Sequence, residues 1–165
     1  VRLPRLSDLA RFRVHDILLV SSVYDSFILA EDGELHEVIL REFLDLNVRY
    51  TPGITHVSTA EEALALAWDK ARYNLVIASA YLGDLSAVGL AGRMRDAGID
   101  TPVVALAYDM REAGEIAAAS ERSPIDRVFL WQGDVRLVPA IVKYVEDRRN
   151  VAHDTGRRTG CCPKA

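Results

Sequence analysis

Five short apolar runs alternate with segments of helical spacing, and this pattern constrains the chain more than any other feature. The runs are Ile17–Val20, Ile54–Val57, Leu75–Ser79, Val103–Ala107 and Arg127–Trp131. The first is apolar throughout, as expected of a strand buried on both faces. Between and after the runs lie five helical segments. In Leu35–Leu46, the residues Leu35, Val38, Ile39, Glu42, Phe43 and Leu46 fall at helical spacing. Thr59 and Glu62 form a capping box that opens a helix through about Arg72. Ala87–Ala97 is stopped by Gly98, and Arg111–Ser120 is rich in alanine. The last helix runs from Leu137 to about Arg149, with Val138, Ile141, Val142 and Val145 on one face and Pro139 in its tolerant first turn. Arg148 and Arg149 are read there as charges that suit a helix C-terminus without a partner.

Strict alternation of strand and helix implies a parallel sheet with helices on both faces, joined by right-handed crossovers. Five strands at this length fit the α/β doubly wound, flavodoxin-like order 2-1-3-4-5. Ligands of such sheets bind beyond the carboxyl ends of the strands, where the strand order reverses. In this chain those ends follow Val20, Ala78, Leu106 and Leu130. The expected organisation is an N-terminal extension over 1–15, one domain over 16–150, and a polar tail or linker start over 151–165. Leu3–Val14 reads as a short helix packed on the domain or as a disordered arm.

Composition then excludes several function classes. The net charge of −4 gives no basic surface for nucleic acid or an anionic membrane. No apolar run approaches the roughly 20 residues that span a bilayer, and no N-terminal stretch reads as a signal peptide. A cytoplasmic location is expected. The two cysteines, Cys161 and Cys162, are adjacent in the polar tail and supply neither a zinc set nor a spaced disulfide pair. His15, His36, His56 and His153 are scattered without metal spacing, and His36 and His56 read as surface residues. The first strand-to-helix turn, Ser21–Ser26, contains no glycine and so no phosphate-cradling loop. No metal and no cofactor are expected.

Leu75–Ser79, the pair Gly83 and Asp84, Pro102–Ala107, Asp126–Trp131 and the helix opening at Ser58–Leu64 together resemble a bacterial response-regulator receiver domain. The resemblance covers about Asp16 to Arg149 and rests on the order and spacing of these motifs. It implies chemistry in which an aspartate ending strand 3 accepts a phosphoryl group. An acidic pair after strand 1 helps to hold Mg²⁺, and a hydroxyl ending strand 4 and a lysine ending strand 5 bind the phosphoryl oxygens. Divalent cations require hard anionic oxygens, and the transferred group requires positive charge around it.

Aligned on this family, the chain departs at every chemical position. Ser21 and Ser22 stand for the acidic pair, Ser79 for the acceptor, Ala107 for the hydroxyl residue and Trp131 for the lysine; Gln132 replaces the usual following proline. Serine cannot form an acyl phosphate, and neutral hydroxyls are poor Mg²⁺ ligands. No base is evident that would activate a serine. The resemblance thus implies a degenerate phosphorylation pocket at Ser21, Ser22, Ser79, Ala107 and Trp131.

Trp131 reads as a packed plug or as an exposed anchor for a partner, and Tyr108 as an alternative cover for the cleft. Ser79 reads as a small residue at the edge of the core. Asp25 and Asp84 are the acids near the expected mouth, and solvated loop acids are a simpler reading than a rebuilt metal site. The connection Ser21–Gly33 has 13 residues, against roughly 2–6 in ordinary βα loops. Either the first helix starts earlier, or Tyr24, Asp25 and Phe27 belong to a lid or partner loop.

The expected function is a non-phosphorylatable signalling module acting by contact with a protein partner or its own C-terminal domain. The surface implied by the family is the fourth helix, fifth strand and fifth helix, which also serves homodimers. Ile17–Ser22, Tyr24–Leu29 and Tyr144–Asp147 further resemble receiver-like domains fused to a phosphoenolpyruvate/pyruvate-binding phosphotransferase domain. The alternative is an atypical phosphorelay receiver that uses non-standard acidic residues. A flavodoxin-like enzyme or ligand-binding domain is a third reading, disfavoured by the missing glycine loop.

Overall fold

The computed structural model describes residues 12–22, 52–69, 72–120, 125–131 and 137–158. Its strands are β1 (Asp16–Val20), β2 (Gly53–Val57), β3 (Leu75–Ser79), β4 (Val103–Ala107) and β5 (Arg127–Leu130). All pairings are parallel, and the order is β2-β1-β3-β4-β5, as the alternation requires. The described helices are α1 (Ala60–Ala67), α2 (Ala87–Asp96), α3 (Met110–Ser120) and α4 (Leu137–Arg158).

Successive strand residues point to opposite faces, so the sheet divides two cores. Leu18, Val20, Val76, Ala78, Val103, Ala105 and Ala107 meet buried residues of α1 and α2 and Ile116 of α3. Ile17, Leu19, Leu75, Ile77, Val104 and Leu106 meet Val138, Ile141, Val142 and Val145 of α4, with Trp131 among them. The central strands are almost wholly buried, whereas β2 and β5 at the edges are only partly so.

Helix ends follow local chemistry. The Thr59 hydroxyl accepts the Glu62 amide, as the expected capping box has it, and the Glu62 carboxylate reaches one residue further back, to the Ser58 amide. The helix ends at Ala67 and not near Arg72, and the Asp69 amide turns to the Leu66 carbonyl three residues back, the tightening common in a last turn. α2 stops as expected at Gly98, whose φ of +75° is readily available to glycine. The amide of Gly98 donates to the Arg95 carbonyl and that of Ile99 to Met94, with Ile99 and Met94 both buried, a Schellman closure.

Three expectations are corrected at the ends of the chain. α4 continues to Arg158 rather than ending near Arg149, so part of the polar stretch is helical. A polar segment carries no apolar period, which is why periodicity missed it. Arg148 and Arg149 therefore lie inside the helix and do have contacts. The Arg148 guanidinium donates to the Asp126 carbonyl and to the Tyr144 hydroxyl, and that of Arg149 lies over the Phe12 ring. Phe12–Val14 is not helical. Its backbone is held by side chains: the Phe12 amide donates to Asn150 Oδ1 at 2.7 Å, and the Val14 amide to the buried Glu146 carboxylate at 2.9 Å.

The expected helix over Leu35–Leu46, the loop residues Tyr24, Asp25 and Phe27, and Cys161 and Cys162 lie outside the described residues. No helix among the described residues is long and apolar enough to cross a membrane.

Candidate functional site

The parallel register carries the ends of β1, β3, β4 and β5 to one edge of the sheet. Val20 pairs with Ala78, Ser79 with Leu106 and Ala107 with Leu130. Beyond this edge opens a cavity of about 190 Å³. Ser22, Ser79 and Trp131 line it, together with Ala80, Tyr81 and Leu106. Tyr108 and Glu112, from the loop into α3 and its first turn, complete the lining.

Two of the five residues aligned with the phosphorylation chemistry do not line this cavity. Ser21 is buried and turns toward the edge strand β2, where its hydroxyl lies 2.8 Å from Nε2 of His56. Strand parity explains the pairing, because Ile54 packs on the same face as Ile17 and Leu19, two residues before His56 and Ser21 respectively. The expected lack of a base concerned the acceptor position, Ser79, and sequence reasoning did not foresee this neighbour of Ser21. His56 is exposed, as expected, but it has a specific partner. Ala107 faces the opposite core with Val103 and Ala105, and its carbonyl accepts the Trp131 amide at 2.6 Å.

Trp131 is 7% exposed and packs in the cluster that includes Ile77, Val104, Leu106 and Val138. Its indole therefore belongs to the core while forming part of the cavity wall. Tyr108 is 51% exposed and stands at the rim. The tryptophan is packed and is not an exposed anchor, the tyrosine stands at the rim, and the cavity between them is left open.

The acids near the edge have structural duties. Asp84 accepts the amides of Ala60 and Glu61 and so caps the N-terminus of α1 from the loop after β3. The Ala60 amide, foremost, with those of Asp84, Glu61 and Leu85, holds this carboxyl below its ordinary range; burial opposes them. Glu112 performs the matching task on α3. Asp109 accepts its amide at 2.8 Å, and the Glu112 carboxylate takes that of Tyr108 at 2.5 Å. Sequence reasoning missed Glu112 as a cavity residue, although aspartate followed three residues later by glutamate is a capping signal. Among the described residues, no three His, Cys, Asp or Glu side chains converge on a possible metal position.

No family model and no curated protein sequence matches the chain. Solved structures do. The chemotaxis protein CheY4 of Vibrio cholerae superposes with a TM-score of 0.59 at 15% identity, covering 80% of this chain and 98% of that one. The receiver domain of the sensor histidine kinase PA1611 of Pseudomonas aeruginosa, solved with a magnesium ion in its active-site cleft, gives 0.55 at 16% identity, covering 81% and 98%. A streptococcal protein, described as one of a family of redox sensors evolved from two-component response regulators, gives 0.60 at 16% identity, covering 91% of this chain and 57% of its own. The fold is that of the CheY-like receiver domains.

Proposed function

We propose that this chain is a receiver-fold signalling module that works without aspartyl phosphorylation. It acts by contact with a protein partner or with another domain of its own polypeptide. A phosphoenolpyruvate/pyruvate-binding phosphotransferase domain is the favoured candidate, on the sequence resemblance alone. The observation that carries the reading is the chemistry of the cavity wall: serines at the ends of β1 and β3, and a buried indole where the family has lysine. Serine hydroxyls offer Mg²⁺ no anionic oxygen, and the indole N–H carries no charge for a phosphoryl group. The similarity to streptococcal redox sensors supports the idea that this fold can signal by other means.

The atypical phosphorelay reading draws on one observation, the Glu112 carboxylate in the cavity. That carboxylate already caps α3, and the wall still offers serine where an acyl phosphate would form. Titration with Mg²⁺ and beryllofluoride, followed by amide shifts at Ser79 and Trp131, separates the two readings. No saturable shift is expected. A stoichiometric, hydroxylamine-labile adduct after incubation with acetyl phosphate would reject the proposal, because hydroxylamine cleaves an acyl phosphate and leaves a serine phosphate monoester intact.

A further inference from the structure

The cavity has the makings of a site for a ligand unlike a phosphoryl group. Trp131 forms a buried part of its wall, while Tyr81 and Tyr108 are more than half exposed. Glu112, whose carboxylate accepts the Tyr108 amide, lines the same cavity as these three aromatic residues, as do Ser22 and Ser79. Aromatic rings attract cations through the negative potential over their faces, and a nearby carboxylate strengthens the attraction.

The described residues at the start of α3 share that sign. From Tyr108 to Glu115, Asp109, Glu112 and Glu115 stand against one cation, Arg111, which pairs with Glu115 at 3.7 Å. The Tyr81 hydroxyl donates to Glu115 at 3.3 Å. Its phenol is held above the ordinary value, chiefly by the Glu115 charge, with Glu112 acting in the same direction. Asp109 and Glu112 also occupy amides at the start of α3, which offsets the attraction of that helix end for anions.

Size narrows the class. About 190 Å³ is close to the roughly 150 Å³ that accommodates benzene, and below the roughly 300 Å³ at which drug-sized pockets begin. The cavity cannot enclose a nucleotide or flavin, whereas it can enclose a methylated ammonium head group. We propose that the cavity bounded by Trp131, Tyr81, Tyr108 and Glu112 binds a small organic cation of the quaternary or methylated ammonium class. The inference rests on the reading that the cavity does not take Mg²⁺ and a phosphoryl group.

The test uses the full chain carrying Trp68→Phe, which leaves Trp131 as the sole indole. Choline is titrated while Trp131 fluorescence and the amide shifts of Ser79 and Tyr108 are followed. Its neutral isostere 3,3-dimethyl-1-butanol is titrated in parallel. Saturable binding of choline is expected, with the isostere about tenfold weaker or more. Glu112→Gln, whose amide oxygen can still accept the Tyr108 amide, and Tyr108→Leu at the exposed rim should each weaken choline by a similar factor while the chain stays folded by circular dichroism. Absence of saturation, equal binding of the isostere, or undiminished binding by folded Glu112→Gln would each overturn the inference. A beryllofluoride response in the same samples would overturn the non-phosphorylated reading instead, so the two failures are distinguishable.

Discussion

Trp131 packs against Leu106 and Val104 on one side of the sheet, and its own amide extends the β5 ladder by one bond to Ala107. Truncating it opens a hole that neighbours on the rigid sheet cannot close. Trp131→Ala should therefore lower unfolding free energy by about 3–5 kcal/mol, read from urea melts. An unchanged midpoint would show that the indole contributes nothing to the core. Asp84 makes a pH-dependent contribution. Its folded pKa lies below the ordinary 3.8, so the contribution is complete above that value and is lost as pH falls through the folded pKa. Asp84→Asn should be less stable than the parent at pH 7, and the gap should close below about pH 4. A gap independent of pH would mean that the Asp84 charge has no part in capping α1. The sequence indicated Ser79 and Trp131 as neighbours because strand ends in this topology converge. It did not separate Ser21 from Ser22, since their facing depends on where β1 stops, and it left Glu112 unnoticed because α3 approaches the edge only in three dimensions.

Elements here are fixed at their ends by side chains as much as by their own periodicity. Glu146 and Asn150, one turn apart on α4, hold the backbone of Phe12–Val14 just before β1, and the Asn150 side chain both accepts from and donates to Phe12. Arg13 adds an ion pair to Glu146 at 3.7 Å, more than half exposed on the arginine side and therefore weak. Asn150→Ala leaves the Phe12 amide without its side-chain acceptor and should cost about 1–2 kcal/mol. Hydrogen exchange should speed at Phe12 and Val14 but not at Leu18 or Val20 within the ladder; uniform acceleration would point to global destabilisation rather than to this clamp. The five strands and the helix starts were readable because burial on two faces and capping boxes leave local signatures. The clamp was not, because it joins residues 138 positions apart and uses polar types that usually mark solvent. The extension of α4 past Arg149 escaped for a related reason, as its sequence is polar and carries no apolar period to read.

At the scale of the whole molecule, the residues that α4 is seen to bury lie in its N-terminal half. Val138, Ile141, Val142, Val145 and Glu146 are buried, and the Asn150 side chain is bonded to the backbone of Phe12. Val151 and Ala152, the next two residues, are exposed. Tolerance to truncation follows the burial and hydrogen bonding of what is removed. A chain ending at Asn150 keeps Val138, Ile141, Val142 and Val145 in the core and both clamps on Phe12–Val14, and should melt within about 2 °C of the parent, since about 1 kcal/mol moves a domain of this size by a few degrees. A chain ending at Tyr144 loses Val145 from the core, the Glu146 acceptor of the Val14 amide and the Asn150 clamp together. That loss should exceed 4 kcal/mol from the methyl groups and the two unsatisfied amides, a large share of a typical domain's 5–15 kcal/mol, and should leave the chain without a cooperative melt. If the longer truncation melts cooperatively near the parent temperature, the last turns of α4 are not part of the folding unit. If the shorter one loses its transition, residues beyond Asn150 contribute to the core, and the domain extends further along the chain than its buried positions indicate.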